Sequence, residues 1–151
     1  MKVINNFIDN SKLEDLIKKL PNEELNYKFK NYQFFEDDVL GKIMTHKLVC
    51  SNLEDVIDLE FLEKQTGKIK KIFVNLITKS TRLVTFQPEQ SDYNLIVLFG
   101  NNNDGFLKVD NYKKIECSEN TMVAIPAKTP FTQSSCTDKD YKIYFEIYLQ
   151  E

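Results

Sequence analysis

At 151 residues the chain is long enough for one domain with a real core and too short for two comfortable ones. An apolar share of 42% with 12% aromatics is that of a folded protein, and a net charge of −3 gives no bulk electrostatic case for nucleic-acid or membrane binding. His46 is the single histidine, which excludes a multi-histidine metal site, and Arg82 is the single arginine, so bidentate reading of phosphate or carboxylate is poorly provided for.

Met1 to Asn10 shows no basic region followed by an apolar stretch, and no apolar run approaches the roughly 20 residues that span a bilayer. Cys50, Cys117 and Cys136 are odd in number and far apart, which reads as reduced thiols in a cytoplasmic setting. The bias toward Lys, Asn and Ile is the coding habit of an AT-rich genome.

In chain order, Val3, Ile4 and Phe7 suit a short edge strand. Ser11 and Glu14 have capping-box spacing, Leu13, Leu16, Ile17 and Leu20 form one helical stripe, and Pro21 stops it. Residues 23–49 carry Tyr27, Phe29, Tyr32, Phe34 and Phe35 without a sustained period, and read as irregular strand and loop. A second helix follows Ser51 and Glu54, again at capping-box spacing, with Val56, Leu59, Phe61 and Leu62 as its apolar residues and Gly67 as its left-handed terminator.

From Lys68 the period becomes strand-like, over 69–78, 82–87, 94–99, 106–109, 113–117, 121–125 and 141–149. Asn101 to Gly105 is a strong turn signal, read as a hairpin, and Ser118 to Asn120 a weaker one. The last strand alternates: Ile143, Phe145, Ile147 and Leu149 on one face, Lys142, Tyr144, Glu146 and Tyr148 on the other. About seven strands in all, with two N-terminal helices packed on one sheet, predict an α+β jelly roll in a single domain over 1–151.

Four segments carry a family resemblance: "MKVINNFIDNSKLEDLIKKL", "KIFVNLITKSTRLVTF", "NLIVLFGNNNDGFLKVDN" and "ENTMVAIPAKTPFTQSSCTDKDYKIYFEIYLQ". In this order they resemble the 2-oxoglutarate/Fe(II)-dependent oxygenases, whose core is a double-stranded β-helix of the cupin type, and in particular the short versions carried by tailed phages. The resemblance covers most of the chain outside 27–58. It implies a His-x-Asp/Glu pair and a distal histidine as iron ligands. This sequence departs at those positions: the first ligand falls near Phe86 in Phe86-Gln87-Pro88-Glu89, and the distal histidine falls on Phe131. A phenyl ring has no lone pair for iron. The cosubstrate clamp of the last strand aligns with Lys142, with Tyr144 on the same face, although a lysine beside Asp138 and Asp140 is more commonly a solvated one.

Other candidates are weaker. Gln87, Glu89 and Gln133 offer oxygen atoms for a hard cation, in a set with one carboxylate. His46 reads as a strand-end histidine; Cys50 lies four residues on, ~13 Å away in an extended strand, too far to form a pair with it. The expectation is therefore a degenerate, non-catalytic oxygenase-like domain acting as a binding or structural module, phage- or virion-associated, in the host cytoplasm or the virion. It carries no cofactor and takes a protein partner or a second copy of itself, with no nucleic acid and no membrane. Two alternatives remain. One is an active hydroxylase using Fe(II) and 2-oxoglutarate through His46 and Glu89 or Asp92. The other is a metal-free cupin-type isomerase of sugar nucleotides using Lys142, Tyr144 and Glu146.

Overall fold

The computed structural model describes residues 1–19, 32–36, 44–50, 59–79, 83–86, 94–110 and 112–150. A helix starts where a stripe of leucines can be buried: α1 spans Asn10–Lys19 and presents Leu13 and Leu16 to the interior. Its first carbonyl acceptor is Asp9, which receives the Lys12 and Leu13 amides at 2.9 and 3.1 Å. The helix thus begins ahead of the expected Ser11 cap, because Asp9 already takes the N-cap place. The second helix, α2, spans Leu59–Thr66. Gly67 ends it at φ +93°, with its amide on the Glu63 carbonyl at 2.9 Å, the left-handed stop its sequence position predicts. The proposed cap at Ser51 and Glu54, and Pro21, lie outside the described residues.

Eleven strands are present among the described residues: β1 Lys2–Ile4, β2 Tyr32–Glu36, β3 Met44–Cys50, β4 Ile69–Thr78, β5 Leu83–Phe86, β6 Leu95–Phe99, β7 Phe106–Val109, β8 Ile115–Glu116, β9 Met122–Ile125, β10 Phe131–Ser134 and β11 Tyr141–Leu149. They form a seven-stranded sheet, β1-β9-β6-β11-β4-β3-β2, and a four-stranded sheet, β5-β10-β7-β8. The pairings nest: β4 with β11, β5 with β10, β6 with β9, and β7 with β8, all antiparallel. This is one long two-stranded ribbon wound into a roll, the jelly-roll architecture expected from the sequence.

Three expectations change. The aromatic stretch read as irregular contributes β2 and β3, which pair with each other and extend the large sheet beyond β4. The strand expected around His46 is β3, and what the lack of a clean period hid is the regular pairing of β2 with it. Asn101 to Gly105 is no hairpin: it carries the chain from β6 in the large sheet to β7 in the small one, and the hairpin is β7–β8. Strand β10, absent from the expected set, lies in the middle of the small sheet.

The roll separates two cores. Leu13 and Leu16 of α1 and Leu62 of α2 share one apolar cluster with Ile72, Ile96, Leu98, Ile143, Phe145 and Ile147, on the helix side of the large sheet. The second cluster lies between the sheets and contains Leu95, Val97, Phe99, Leu107, Val109, Phe131, Tyr144 and Tyr148. Strand β11 serves both, so its two faces are buried along nearly its whole length. Among the described residues no helix is long and apolar enough to cross a membrane.

Candidate functional site in the barrel interior

Strands β5 and β10 meet where the resemblance places the iron ligands. The ladder sets Phe86 directly opposite Phe131, so the two positions are brought together in one cross-strand pair. Phe131 is 2% exposed and belongs to the inner cluster. Gln87, Pro88, Glu89 and Asp92 lie outside the described residues. His46 lies on β3, paired with Phe34 and Leu76, two strands from β11 and outside the four strands that close the small sheet. Cys50 ends the same extended strand. No group of three or more His, Cys, Asp or Glu side chains with metal-binding spacing occurs among the described residues. The Phe86 and Phe131 positions do not fit an iron centre, because neither residue type supplies a donor atom.

Lys142 is wholly buried, which overturns the reading of it as a solvated lysine. Its strand runs between β4 and β6, so the face that carries polar residues looks into the roll and not toward water. Its Nζ donates to the carbonyls of Ser134 at 3.1 Å and Phe106 at 3.3 Å. The rings of Phe99 and Tyr144 lie 5.5 and 5.6 Å from it. No carboxylate lies within ion-pair distance of it among the described residues. Burial pushes its pKa below the ordinary 10.5, and the nearby Cys117 pushes the other way. Cys117 is itself held up by burial, which keeps the thiol neutral and without a charge to offer.

Three further polar side chains share this interior. Gln133 is 0% exposed, and neither its Nε2 nor its Oε1 has a hydrogen-bond partner among the described residues. Each such unmade bond costs about 1–3 kcal/mol. The alternation of β10 puts Gln133 on the face of Phe131, which resolves whether it looks inward. Glu146 is buried and accepts from the Tyr148 hydroxyl at 3.1 Å. Tyr144 is wholly enclosed; burial first, then the charges of Glu146 and Tyr148, hold its hydroxyl well above the ordinary 10.0.

At the rim, Gly105 permits a close approach: a Cβ there would lie 2.6 Å from Asn103 Oδ1 and 3.1 Å from the Ser135 carbonyl. Asp104 accepts from the Thr137 amide at 2.6 Å and from its hydroxyl, which holds the carboxyl down at about 2. Asn101 clasps the start of β11, donating to the Tyr141 carbonyl and accepting from the Ile143 amide at 3.0 and 3.1 Å.

No protein-family profile matches the chain, and no curated protein matches it by sequence. Solved structures do share its fold. The non-heme alpha ketoglutarate dependent epimerase SnoN from nogalamycin biosynthesis superposes with a TM-score of 0.64 at 8% identity, over 98% of this chain and 75% of that one. A Pseudomonas putida prolyl-4-hydroxylase gives 0.56 at 9% identity, over 99% and 92%. A cupin-like protein from Thermotoga maritima gives 0.52 at 10% identity, over 81% and 80%. The fold is thus a double-stranded β-helix of the cupin and 2-oxoglutarate/Fe(II) oxygenase type.

Proposed function

We propose that this chain is a non-catalytic, oxygenase-like domain whose roll now serves as a binding module. The reading is carried by one observation: the two strands that would present the histidine ligands instead pair Phe86 with Phe131, and Phe131 packs into the inner apolar cluster. Iron needs lone-pair donors on adjacent strands, and hydrocarbon there removes the centre while adding packing. Lys142 supports the binding half of the reading, because a buried cation with no carboxylate in ion-pair distance among the described residues is what an anionic guest would complete. A protein partner or a second copy of the chain belongs to the same proposal.

Reconstitution under anaerobic conditions with Fe(II) and 2-oxoglutarate, followed by exposure to oxygen, tests it. The expected result is substoichiometric iron after desalting and no succinate above the protein-free control. One iron per chain with succinate release overturns the proposal in favour of an active hydroxylase. A second reading, a metal-free sugar-nucleotide isomerase, draws on the buried Glu146–Tyr148 pair beside Tyr144. It requires sugar nucleotides to raise the melting temperature, which the first reading does not expect.

A further inference from the structure

A thiol and an amine meet inside the roll. Cys117 follows directly on β8, and its amide donates to the Gly105 carbonyl at 3.0 Å. The next carbonyl along that chain, of Phe106, accepts from Lys142 Nζ at 3.3 Å, and the Ser134 carbonyl accepts from the same Nζ at 3.1 Å. There the Lys142 amine and the Cys117 thiol share a hydrogen bond. Both side chains are enclosed, Lys142 at 0% and Cys117 at 2% exposure. They hang from different sheets, Cys117 from the β8 edge of the small one and Lys142 from the middle of the large one.

Loss of a proton from this pair leaves a thiolate beside an ammonium or, after transfer along the hydrogen bond, a thiol beside an amine. The first form reacts with a peroxide, and the second holds a nucleophile for the step that follows. Access comes through β8, an edge strand of 2 residues paired only with β7, so its local opening exposes Cys117 to a small neutral oxidant. We propose that hydrogen peroxide joins Cys117 to Lys142 through a sulfur–nitrogen bond, a reversible staple between the two sheets. The peroxide oxidises the Cys117 sulfur to a sulfenic acid and is itself reduced to water. The Nζ lone pair then attacks that sulfur, the S–O bond breaks, and the hydroxyl leaves with a proton from Nζ as a further water. A small thiol reverses the bond, returning the Cys117 thiol and the Lys142 amine and ending as its own disulfide.

The test treats the full chain with equimolar hydrogen peroxide and reads intact mass without reductant, a peptide map and the melting temperature. The chain is expected to lose a pair of hydrogen atoms, to yield a peptide joining Cys117 to Lys142, and to melt at a higher temperature, with dithiothreitol reversing all of these. Cys136→Ser is expected to form the link as the wild type does. Cys117→Ser and Lys142→Met are expected to lose it, as is wild-type chain unfolded in guanidinium before the peroxide is added. A disulfide between Cys117 and Cys136 removes the same hydrogens but consumes a further thiol, and it overturns the proposal. Oxygen added at Cys117 without a link, a chain left unchanged, or a link formed equally well in the unfolded chain overturns it too. A link that leaves the melting temperature where it was overturns the staple.

Discussion

The two cores of this protein are built on opposite faces of one strand, yet they differ in kind. On the helix side, β11 contributes Ile143, Phe145 and Ile147 to a cluster whose members are all apolar side chains. On the inner side it contributes Lys142, Tyr144, Glu146 and Tyr148, and β10 adds Gln133. The outer core stabilises by burial alone, at about 1.5–3 kcal/mol for each fully buried large side chain. The inner core gives part of that back by enclosing polar groups, one of them a lysine and one an unpartnered amide. Marginally stable domains keep such costs where function uses the group, so the contrast itself marks the interior as the place to look.

Removing hydrocarbon from the outer core is expected to have the largest effect. Phe145→Ala deletes a ring that is 2% exposed and should cost about 3–5 kcal/mol in chemical denaturation, with the polar interior's ligand response intact in the folded fraction. The inner face should behave in the opposite sense. Lys142→Met replaces an enclosed amine by a side chain of similar length and should stabilise the ligand-free protein at pH 7 by about 1–4 kcal/mol. The same loss of stability from both substitutions would erase the distinction between the cores.

The pH dependence sharpens the second case. Lys142 has a folded-state pKa below its unfolded value, so the unfolded chain binds the extra proton and stability rises with pH in the window below 10.5. The advantage of Lys142→Met should therefore shrink as pH climbs through 10.5, above which the lysine is neutral in the folded and the unfolded chain alike. Below 9.0 the thiols of Cys117 and Cys136 stay neutral, so the comparison of variant with wild type there reads Lys142 alone. Their thiols are raised above 9.0 in the fold, and they cost stability at alkaline pH. A variant advantage that is flat with pH would mean that Lys142 keeps its proton at no cost.

The smallest effect lies at the rim, outside both cores. The Asp104 carboxylate is exposed and held at about 2 chiefly by the Thr137 hydroxyl, then by the Thr137 amide. Its contribution is present above the ordinary 3.8 and is lost as pH falls through about 2. Thr137→Val should move the Asp104 titration upward toward 3.8 in a carbon-detected NMR experiment, with the melting temperature near pH 7 little changed. A titration that stays near 2 would assign the depression to the Thr137 amide and to Asp138 in place of the Thr137 hydroxyl.

Much of the roll was legible in the sequence, because its long strands are rich in β-branched and aromatic residues bounded by turn chemistry. Strands β4, β7 and β11 and the stop at Gly67 fall where the pattern places them. Strand β10 escaped because "FTQS" holds one large apolar residue and no apolar alternation; its inward positions are Phe131 and Gln133. The inner face of β11 misled for the same reason. Lysine and glutamate ordinarily signal water, and only the closing of the second sheet over them turns that signal into an interior. The pairing of Phe86 with Phe131 needed the ladder, since the two residues are brought together by nested long-range strand pairing and by nothing local.

Diffraction at the iron edge examines the cross-strand pair of Phe86 and Phe131. Crystals grown anaerobically with Fe(II) and 2-oxoglutarate should show two phenyl rings in contact across β5 and β10 and no anomalous peak inside the roll. A peak there, bound by side chains from residues 87–93 or by His46, would contradict the account.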